Sequence, residues 1–447
     1  MRYLRASWGR GNARRRPAIA MLLVTALLVM AAHAGLAMAQ APPGSPEAIR
    51  IGIVTFLSGP PAGPFGIPGR NAAEILIEQL NSGQAPEPYG QRGIGGVPIV
   101  AVYQDESADP VTNYRRLVSE ERVDAVIGYI SSANCLALAP IAEELKALTI
   151  FFDCGTPRIF EEGSHTYVFR TAAHAALDSI AAARYLMAVK PDLRSIAGIN
   201  QNYAWGQDSW VLFRDAVKAL RPDVEVLSEQ FPQLYAGNYL AEISALLRVR
   251  ADVVHSSLWG GDLEALVIQA LPRGLFQTST VLFSAGETMM PRLAGQLPEG
   301  VLVGARGWHG LIGPDNPLSQ WFDRVYEERY GLPPVYPSYH MAQAILGLKH
   351  AYEKAIAASG RWPTTEEVVE AFRYAEFPTP SGTISMAIGG GHQAVESAAY
   401  GVTRRDPQTG RMVISDVMVF GPQCVLPPDG MTTEEWIAQG FPGAVCP

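Results

Sequence analysis

Residues 124–157, DAVIGYISSANCLALAPIAEELKALTIFFDCGTP, decide the fold. The apolar run from Asp124 to Ile130 predicts a strand, and the small polar turn at 131–134 opens a helical run. A second apolar run at 148–152 ends in another polar turn at 153–156. The carboxyl ends of neighbouring parallel strands meet at the sheet edge where open α/β proteins bind ligands. The free N–H groups at the start of a helix also suit a carboxylate, so we predict a small-molecule site at these turns.

Strand and helix patterns alternate from Arg50 to Arg170 and begin again after Arg170, which predicts parallel, doubly wound sheets. Helices without matching strands follow, and short antiparallel strands begin after Thr379. We therefore predict an α/β fold of two doubly wound, Rossmann-like lobes joined by a three-crossing hinge. The predicted parts are lobe 1 (49–170 plus 305–378), lobe 2 (171–304 plus 379–420) and a C-terminal tail (421–447).

The N-terminus has the pattern of a cleaved signal peptide over residues 1–39, followed by a Pro-rich linker at 40–48. Six Arg residues precede an apolar segment at 18–32, and Ala37-Met38-Ala39 is a small-residue cleavage pattern. The apolar segment is short for a membrane span, and no later stretch approaches the length that a span requires. We expect export to the periplasm.

Charge excludes some classes of partner. Six of the 35 Lys and Arg residues and none of the 43 Asp and Glu residues lie in 1–39, so the rest of the chain has a formal charge near −14. Such an acidic protein is expected to be freely soluble and not to bind nucleic acid or anionic lipid.

The four cysteines follow no zinc-binding spacing and suit an oxidising compartment. Of the three possible pairings we favour Cys135–Cys154, which links the neighbouring turns, with Cys424–Cys446, which closes the tail. Buried free thiols at Cys135 and Cys154 are the alternative.

Several segments resemble one family, the solute-binding proteins of branched-chain amino acid ABC transporters, with the type I periplasmic binding fold. The resemblance covers roughly residues 49–420 and rests on the order of five segments: IRIGIVTFLSGP (49–60), Phe65-Gly66 with Asn71, DESADP (105–110), IGYISSANCLALAPIAEE (127–144) and NYAWGQD (202–208). It implies a monomeric protein that closes on a small amino acid or related carboxylate in the cleft between the lobes and delivers it to membrane permease subunits of the transporter.

The resemblance also implies roles for the two turns. Ser131 and Ser132 would hold the ligand carboxylate through a hydroxyl and backbone N–H groups, although Ser at this place also suits a simple helix cap. Cys154, Gly155 and Thr156 would supply a carbonyl to the ligand amine and an N–H or hydroxyl to its carboxylate.

Aromatic residues occupy other cleft positions of the family: Phe65, Trp205 and Trp259. Aromatic side chains at strand ends in an open cleft suit a ligand wall, and core packing is the alternative. Trp308, Tyr336 and Tyr339 are further candidates.

Glu287 lies where the family places a carboxylate for the ligand's ammonium group, but a one-residue shift would put Gly286 there instead. With Gly286 at that place, an aromatic or aliphatic acid becomes the expected ligand, and a solvated Glu287 is the alternative.

The sequence favours a binding protein over an enzyme. It has no GxGxxG after the first strand, no P-loop, no GxSxG and no HExxH, and we expect no cofactor or metal. Two other functions remain open, namely binding of an aromatic acid or amide-type solute, and ligand sensing through a separate partner.

Overall fold

The structure is a computed structural model that describes residues 41–293 and 295–446. The predicted signal peptide at 1–39 lies outside the described residues. No helix in the described part of the chain is long and apolar enough to cross a membrane.

The first sheet has eight strands, and its centre is parallel, as the alternation predicts. Its strands are β1 (Ile49–Thr55), β2 (Ile99–Asp105), β3 (Ala125–Gly128), β4 (Thr149–Phe151), β5 (Val168–Arg170), β11 (Glu376–Thr379), β12 (Gly382–Ile388) and β13 (Gln393–Val395). Their order is β11-β12-β13-β5-β4-β3-β1-β2. Strands β3, β4 and β5 are buried throughout, as expected for strands covered by helices on both faces.

Helices cover the first sheet. They are α1 (Ile67–Ser82), α2 (Pro110–Ser119), α3 (Ser132–Leu145), α4 (Arg158–Glu161), α11 (Pro317–Tyr330), α12 (Tyr336–Ser359) and α13 (Thr365–Phe372). The late helices return to lobe 1, where α12 packs along α1, and this agrees with the sequence prediction.

The second sheet has seven strands in the order β15-β14-β10-β9-β8-β6-β7. Its strands are β6 (Ser195–Ile199), β7 (Glu225–Gln230), β8 (Val253–Ser256), β9 (Thr280–Phe283), β10 (Leu302–Gly304), β14 (Ala398–Arg405) and β15 (Met412–Phe420). Its helices are α5 (Ala175–Val189), α6 (Ala204–Leu220), α7 (Leu240–Val249), α8 (Gly260–Ala270), α9 (Leu275–Thr278) and α10 (Met290–Leu293). The predicted architecture of two doubly wound lobes is confirmed.

Three crossings join the lobes, at residues 171–174, 305–309 and 396–397. The predicted position of the third, near residues 378–381, is wrong. Pro380 and Ser381 instead form a tight hairpin that keeps β12 beside β11, and β13 then pairs with β5 at Gln393 and Arg170. Residues 379–395 therefore belong to lobe 1.

The tail contains α14 (Pro422–Val425) and α15 (Thr433–Ala438) and is closed by the disulfide between Cys424 and Cys446. Both helices pack on lobe 2, α14 against α5 and α15 against α6. The tail also reaches lobe 1, where the backbone N–H of Thr433 donates to Glu161 at 3.1 Å. It therefore contacts both lobes.

Candidate functional site

The ends of several strands from both lobes surround one small cavity. Its lining residues are Phe65, Ile130, Gly155 and Tyr336 from lobe 1, Tyr203, Trp205 and Trp259 from lobe 2, and Arg306 from the second crossing. The cavity volume is about 10 Å³, which is about the room that one water molecule needs. The lobes are thus closed around the site.

Hydrogen bonds fix the aromatic walls. The indole N–H of Trp205 donates to the carbonyl of Ser257 at 2.9 Å, and that of Trp259 donates to the Tyr203 hydroxyl at 2.8 Å. Across the cleft, Trp259 meets Phe65 edge to face with 5.2 Å between ring centroids. Aromatic pairs in this arrangement attract beyond their buried area, so this contact favours closure.

Arg306 forms the polar side of the cavity. Its guanidinium lies 4.4 Å from the ring centroid of Trp205. Its Nη1 donates to the carboxylate of Asp153 at 2.6 Å, and its Nε lies 3.4 Å from Asp178. Burial would lower the pKa of Arg306, but the neighbouring acids, above all Asp153, outweigh burial and raise that pKa. The residue therefore stays charged while fully enclosed.

The two acids beside Arg306 respond to burial in the opposite way. Burial raises the pKa of Asp153 to about 7 and that of Asp178 to about 7, although Arg306 opposes both shifts. At both carboxyl groups the effect of burial therefore outweighs the attraction of the Arg306 guanidinium.

The helix start that we expected to hold a ligand carboxylate holds a carboxylate of the chain itself. Glu106 accepts hydrogen bonds from the backbone N–H of Ile130 and of Ser131, each at 2.8 Å, and from the Asn134 amide at 3.1 Å. Burial raises the pKa of Glu106 to about 8, against the effect of these hydrogen bonds. The acid at this helix start therefore comes from the loop after β2.

The hydroxyls of the two turns make structural contacts. The Oγ of Ser132 accepts from the backbone N–H of Gly155 and of Thr156, both at 3.2 Å, and so joins the two turns. The Oγ1 of Thr156 donates to Asp208 at 2.6 Å, which links lobe 1 to α6 of lobe 2. Ser131 is buried and is not among the lining residues.

The turn after β4 is held by a disulfide and a buried cation. Cys154 pairs with Cys135, and its carbonyl accepts from Arg170 at 2.8 Å. Of this turn, Gly155 alone lines the cavity in the described structure.

The comparisons with known proteins agree with this architecture. A model of the periplasmic binding protein family matches residues 48–406. The chain belongs to the periplasmic binding protein family. No curated protein sequence matches it.

Solved periplasmic binding proteins share the fold at low sequence identity. An ABC transporter solute-binding protein of Rhodopseudomonas palustris BisB5, in complex with 3,4-dihydroxybenzoic acid, is 18% identical with a TM-score of 0.72, over 84% of this chain and 98% of that one. A second R. palustris protein, in complex with benzoate, is 19% identical with a TM-score of 0.69, over 83% and 96%. A leucine-binding protein of Thermotoga maritima is 20% identical with a TM-score of 0.68, over 83% and 99%.

In this periplasmic binding protein Glu287 lies away from the cavity lining. Its carboxylate is buried and accepts from the backbone N–H of Leu311 at 3.2 Å and of Tyr336 at 3.0 Å. Burial raises the pKa of Glu287 to about 7. Gly286 is also absent from the lining. It is packed in lobe 2, where a Cβ would lie 2.9 Å from the Cβ of Phe283. Glu287 therefore positions the start of α12 in the described structure.

Sequence reasoning missed part of this binding protein's site. Tyr203 lies two residues before Trp205 in the segment NYAWGQD, and Ile130 is the last residue of the apolar run at 124–130. Arg306 has a weak sequence signal, since a single Arg in a Gly-rich segment resembles many exposed ones. The available clue is that this Arg comes two residues after an apolar strand, at a crossing between the lobes.

One buried group near Arg306 has the side chains of a metal site. The ligand atoms of His309, His340 and Glu396 lie within 4.8 Å of one another. No spacing in the sequence identifies this group, because the three residues come from three separate segments of this periplasmic binding protein.

Proposed function

We propose that the chain is the periplasmic solute-binding component of an ABC importer, and that its cleft takes a small aromatic acid. Membership of the periplasmic binding protein family and the shared fold with ABC transporter solute-binding proteins support the first part. The chemistry of the cavity supports the second.

The observation that carries the proposal is the composition of the cavity wall. Five of its eight lining residues are aromatic, one is Arg306, and none of the eight is acidic. Aromatic walls suit a flat ring, and a guanidinium suits a carboxylate. An amino acid would bring its ammonium group to a wall without a carboxylate, and burying an unpaired charge is unfavourable. The wall therefore favours an aromatic acid over an amino acid.

Two donors can receive the carboxylate. The Nη2 of Arg306 faces the Gly155 side of the cavity, since a Cβ on Gly155 would lie 2.7 Å from it. The hydroxyl of Tyr336 is buried and has no hydrogen-bond partner among the described residues. The two residues are neighbours in the wall, since the guanidinium carbon of Arg306 is 5.7 Å from the Tyr336 ring centroid.

Entry of a ring requires the lobes to separate, because the closed cavity has room for about one water. Trp205 and Trp259 belong to lobe 2, and Phe65 and Tyr336 belong to lobe 1. Rotation about the three crossings would therefore separate these two pairs of aromatic residues and open the cavity between them. Hinge closure around a solute is an established motion of two-lobed binding proteins. The monomeric, exported protein would then present its closed form to the permease subunits.

A thermal-shift comparison tests the ligand class. Benzoate, 4-hydroxybenzoate and 3,4-dihydroxybenzoate are expected to raise the unfolding midpoint, and leucine is expected not to. A solute present at 100 times its dissociation constant adds about 2.7 kcal/mol to the stability. Stabilisation by leucine but by none of the aromatic acids would contradict the proposed class.

A single-atom change tests the anchor. Tyr336→Phe removes a hydroxyl that has no partner to lose, so affinity for the aromatic acid should fall about two- to tenfold without a lower unfolding midpoint. Tyr239→Phe is the matched control, since its hydroxyl is also buried without a hydrogen-bond partner but lies in the core of lobe 2. Equal affinities for wild type and Tyr336→Phe would exclude this hydroxyl from the anchor.

A further inference from the structure

His309, His340 and Glu396 form a buried group where the crossings meet lobe 1. His309 ends the second crossing, Glu396 lies in the third, and His340 is on α12. The Nε2 of His309 is 3.1 Å from the Nε2 of His340 and 3.3 Å from the Oε2 of Glu396. All three side chains are almost completely buried.

These separations match the edges of a metal coordination shell. Bonds of about 2.0–2.1 Å from zinc to imidazole nitrogen or carboxylate oxygen, at tetrahedral angles, put neighbouring ligand atoms about 3.3 Å apart. The distances from the Nε2 of His309 to the ligand atoms of His340 and Glu396 already have about this length. The distance between the ligand atoms of His340 and Glu396 is within 4.8 Å. Small side-chain rotations would bring the ligand atoms of His340 and Glu396 to the same separation.

The outer contacts hold the ligands in place. The Nδ1 of His340 is 2.8 Å from the Asp153 carboxylate, and the Nδ1 of His309 is 2.7 Å from the Ser381 hydroxyl. The second oxygen of Glu396 accepts from the backbone N–H of Ala173 at 2.6 Å. Metal-bound histidines are held in this way, with the other ring nitrogen bonded to a carboxylate or another polar group.

The balance of charge and hydrogen bonds favours a cation here. Three carboxyl groups, those of Asp153, Asp178 and Glu396, are buried in this region around the guanidinium of Arg306. A divalent cation bound among them would stabilise their charged forms, which are strongly unfavourable in a buried place without a counter-charge.

The same region has an excess of hydrogen-bond acceptors. One oxygen each of Asp153, Asp178 and Gln343 is buried without a hydrogen-bond partner among the described residues. The amide N–H₂ of Gln343 already donates to Glu396 at 2.9 Å. Buried acceptors without a partner call for an explanation, and a cation bound at the carboxylate and the two imidazoles would supply one.

We infer that His309, His340 and Glu396 bind one divalent transition-metal ion of the zinc class, with water or the carbonyl of Arg306 as a further ligand. That carbonyl is 3.1 Å from the Nε2 of His340. Imidazole nitrogen with one carboxylate suits zinc or cobalt and does not suit magnesium or calcium. The ion would tie the second and third crossings to α12, independently of which solute enters the cleft.

Zinc alone, added during refolding, tests the site without depending on entry into a closed structure. Tag-free protein with its disulfides intact is unfolded in denaturant with a chelator, freed of chelator, and refolded with or without zinc. We expect one zinc per chain by elemental analysis after gel filtration and a higher unfolding midpoint for the zinc-loaded protein. Wild type that refolds to the native spectrum in the presence of zinc, yet binds none, would overturn the assignment and leave a hydrogen-bonded cluster.

Variants and cobalt locate the ion. Glu396→Gln and His309→Gln should reduce the zinc affinity at least tenfold, whereas His350→Gln, on the same helix as His340 but outside the cluster, should bind as wild type does. Cobalt-loaded wild type should show the visible spectrum of a nitrogen and oxygen site without sulfur charge transfer, because all four cysteines are paired. A cobalt spectrum with sulfur charge transfer, or equal zinc binding by all three variants, would place the ion elsewhere. The cobalt result stands even if a cluster variant fails to fold.

Discussion

Gly155→Ala should weaken solute binding by blocking the approach of the two lobes. A Cβ on Gly155 would lie 2.3 Å from two ring carbons of Trp205 and 2.7 Å from the Nη2 of Arg306. The backbone itself tolerates Ala, because Gly155 is not among the residues with positive φ. The clash is therefore a matter of space across the cleft.

The clash cannot be relieved by a simple movement of the indole. Its N–H is bonded to the Ser257 carbonyl at 2.9 Å, and the guanidinium of Arg306 lies near its ring at 4.4 Å from the centroid. Overpacking of this kind costs about 1–3 kcal/mol. If this free energy destabilises only the closed state, solute affinity falls roughly 5- to 150-fold.

Calorimetric titration with a solute that stabilises the wild type measures the effect, and small-angle scattering should show less compaction on binding. The unfolding midpoint without solute should change less than the affinity, since the closest contacts of the added methyl group are with Trp205 of the other lobe. Gly421→Ala is the control, because a Cβ there meets no atom within 4 Å and its φ of −66° suits Ala. If Gly155→Ala binds as tightly as wild type, then Trp205 does not approach Gly155 in the bound protein and the reasoning fails.

Three further outcomes are expected. Thr156→Val loses the hydrogen bond to Asp208 across the cleft, so calorimetry should show roughly ten- to a hundredfold weaker binding with little change in stability; unchanged affinity would mean that this bond is not kept in the closed state. Ser132→Ala leaves two buried backbone N–H groups without their acceptor, so the free energy of unfolding should fall by about 1–3 kcal/mol in denaturant titrations, and a loss of affinity at unchanged stability would instead favour ligand contact. Burial raises the pKa of Glu106 from 4.5 to about 8, so the folded protein retains a proton that the unfolded chain releases, and stability should fall as pH rises through this interval. The urea midpoint of Glu106→Gln, whose carbonyl oxygen can accept most of the same bonds, should depend less on pH than that of wild type, and an equal dependence would rule out Glu106 as its source.

Local sequence patterns were enough to predict the two sheets. The apolar runs at 124–130 and 148–152 and the polar turn at 131–134 depend only on neighbouring residues, and the structure has β3, β4 and the start of α3 at these places. The third crossing was misplaced because the pairing of β12 depends on whether the turn at Pro380-Ser381 returns the chain to the same sheet. The alternation of strand and helix patterns in the sequence does not show which strand β12 pairs with.

A lining residue of the cavity could be predicted from the sequence only where its place relative to a predicted strand brings it to the sheet edge. Phe65, Trp205 and Trp259 follow strands and therefore meet at the sheet edge, as the structure shows. Arg306 and Glu106 act through partners far away in sequence. Arg306 meets Asp153 across 153 positions, and Glu106 reaches Ser131 across 25. Such partners are set by tertiary packing, which no local pattern reports.

The C-terminal tail sets a limit on the range of motion. It is packed on lobe 2, yet Thr433 is bonded to Glu161 and Asp429 accepts from the backbone N–H of Gly389 at 2.9 Å, both in lobe 1. The lobes would rotate about the three crossings, and neither of these two hydrogen bonds is part of a crossing. A wide rotation must break them or pull the tail from its helices, while a narrow one can keep them. We therefore expect the tail to limit how far the cleft opens, through residues that do not line the cavity.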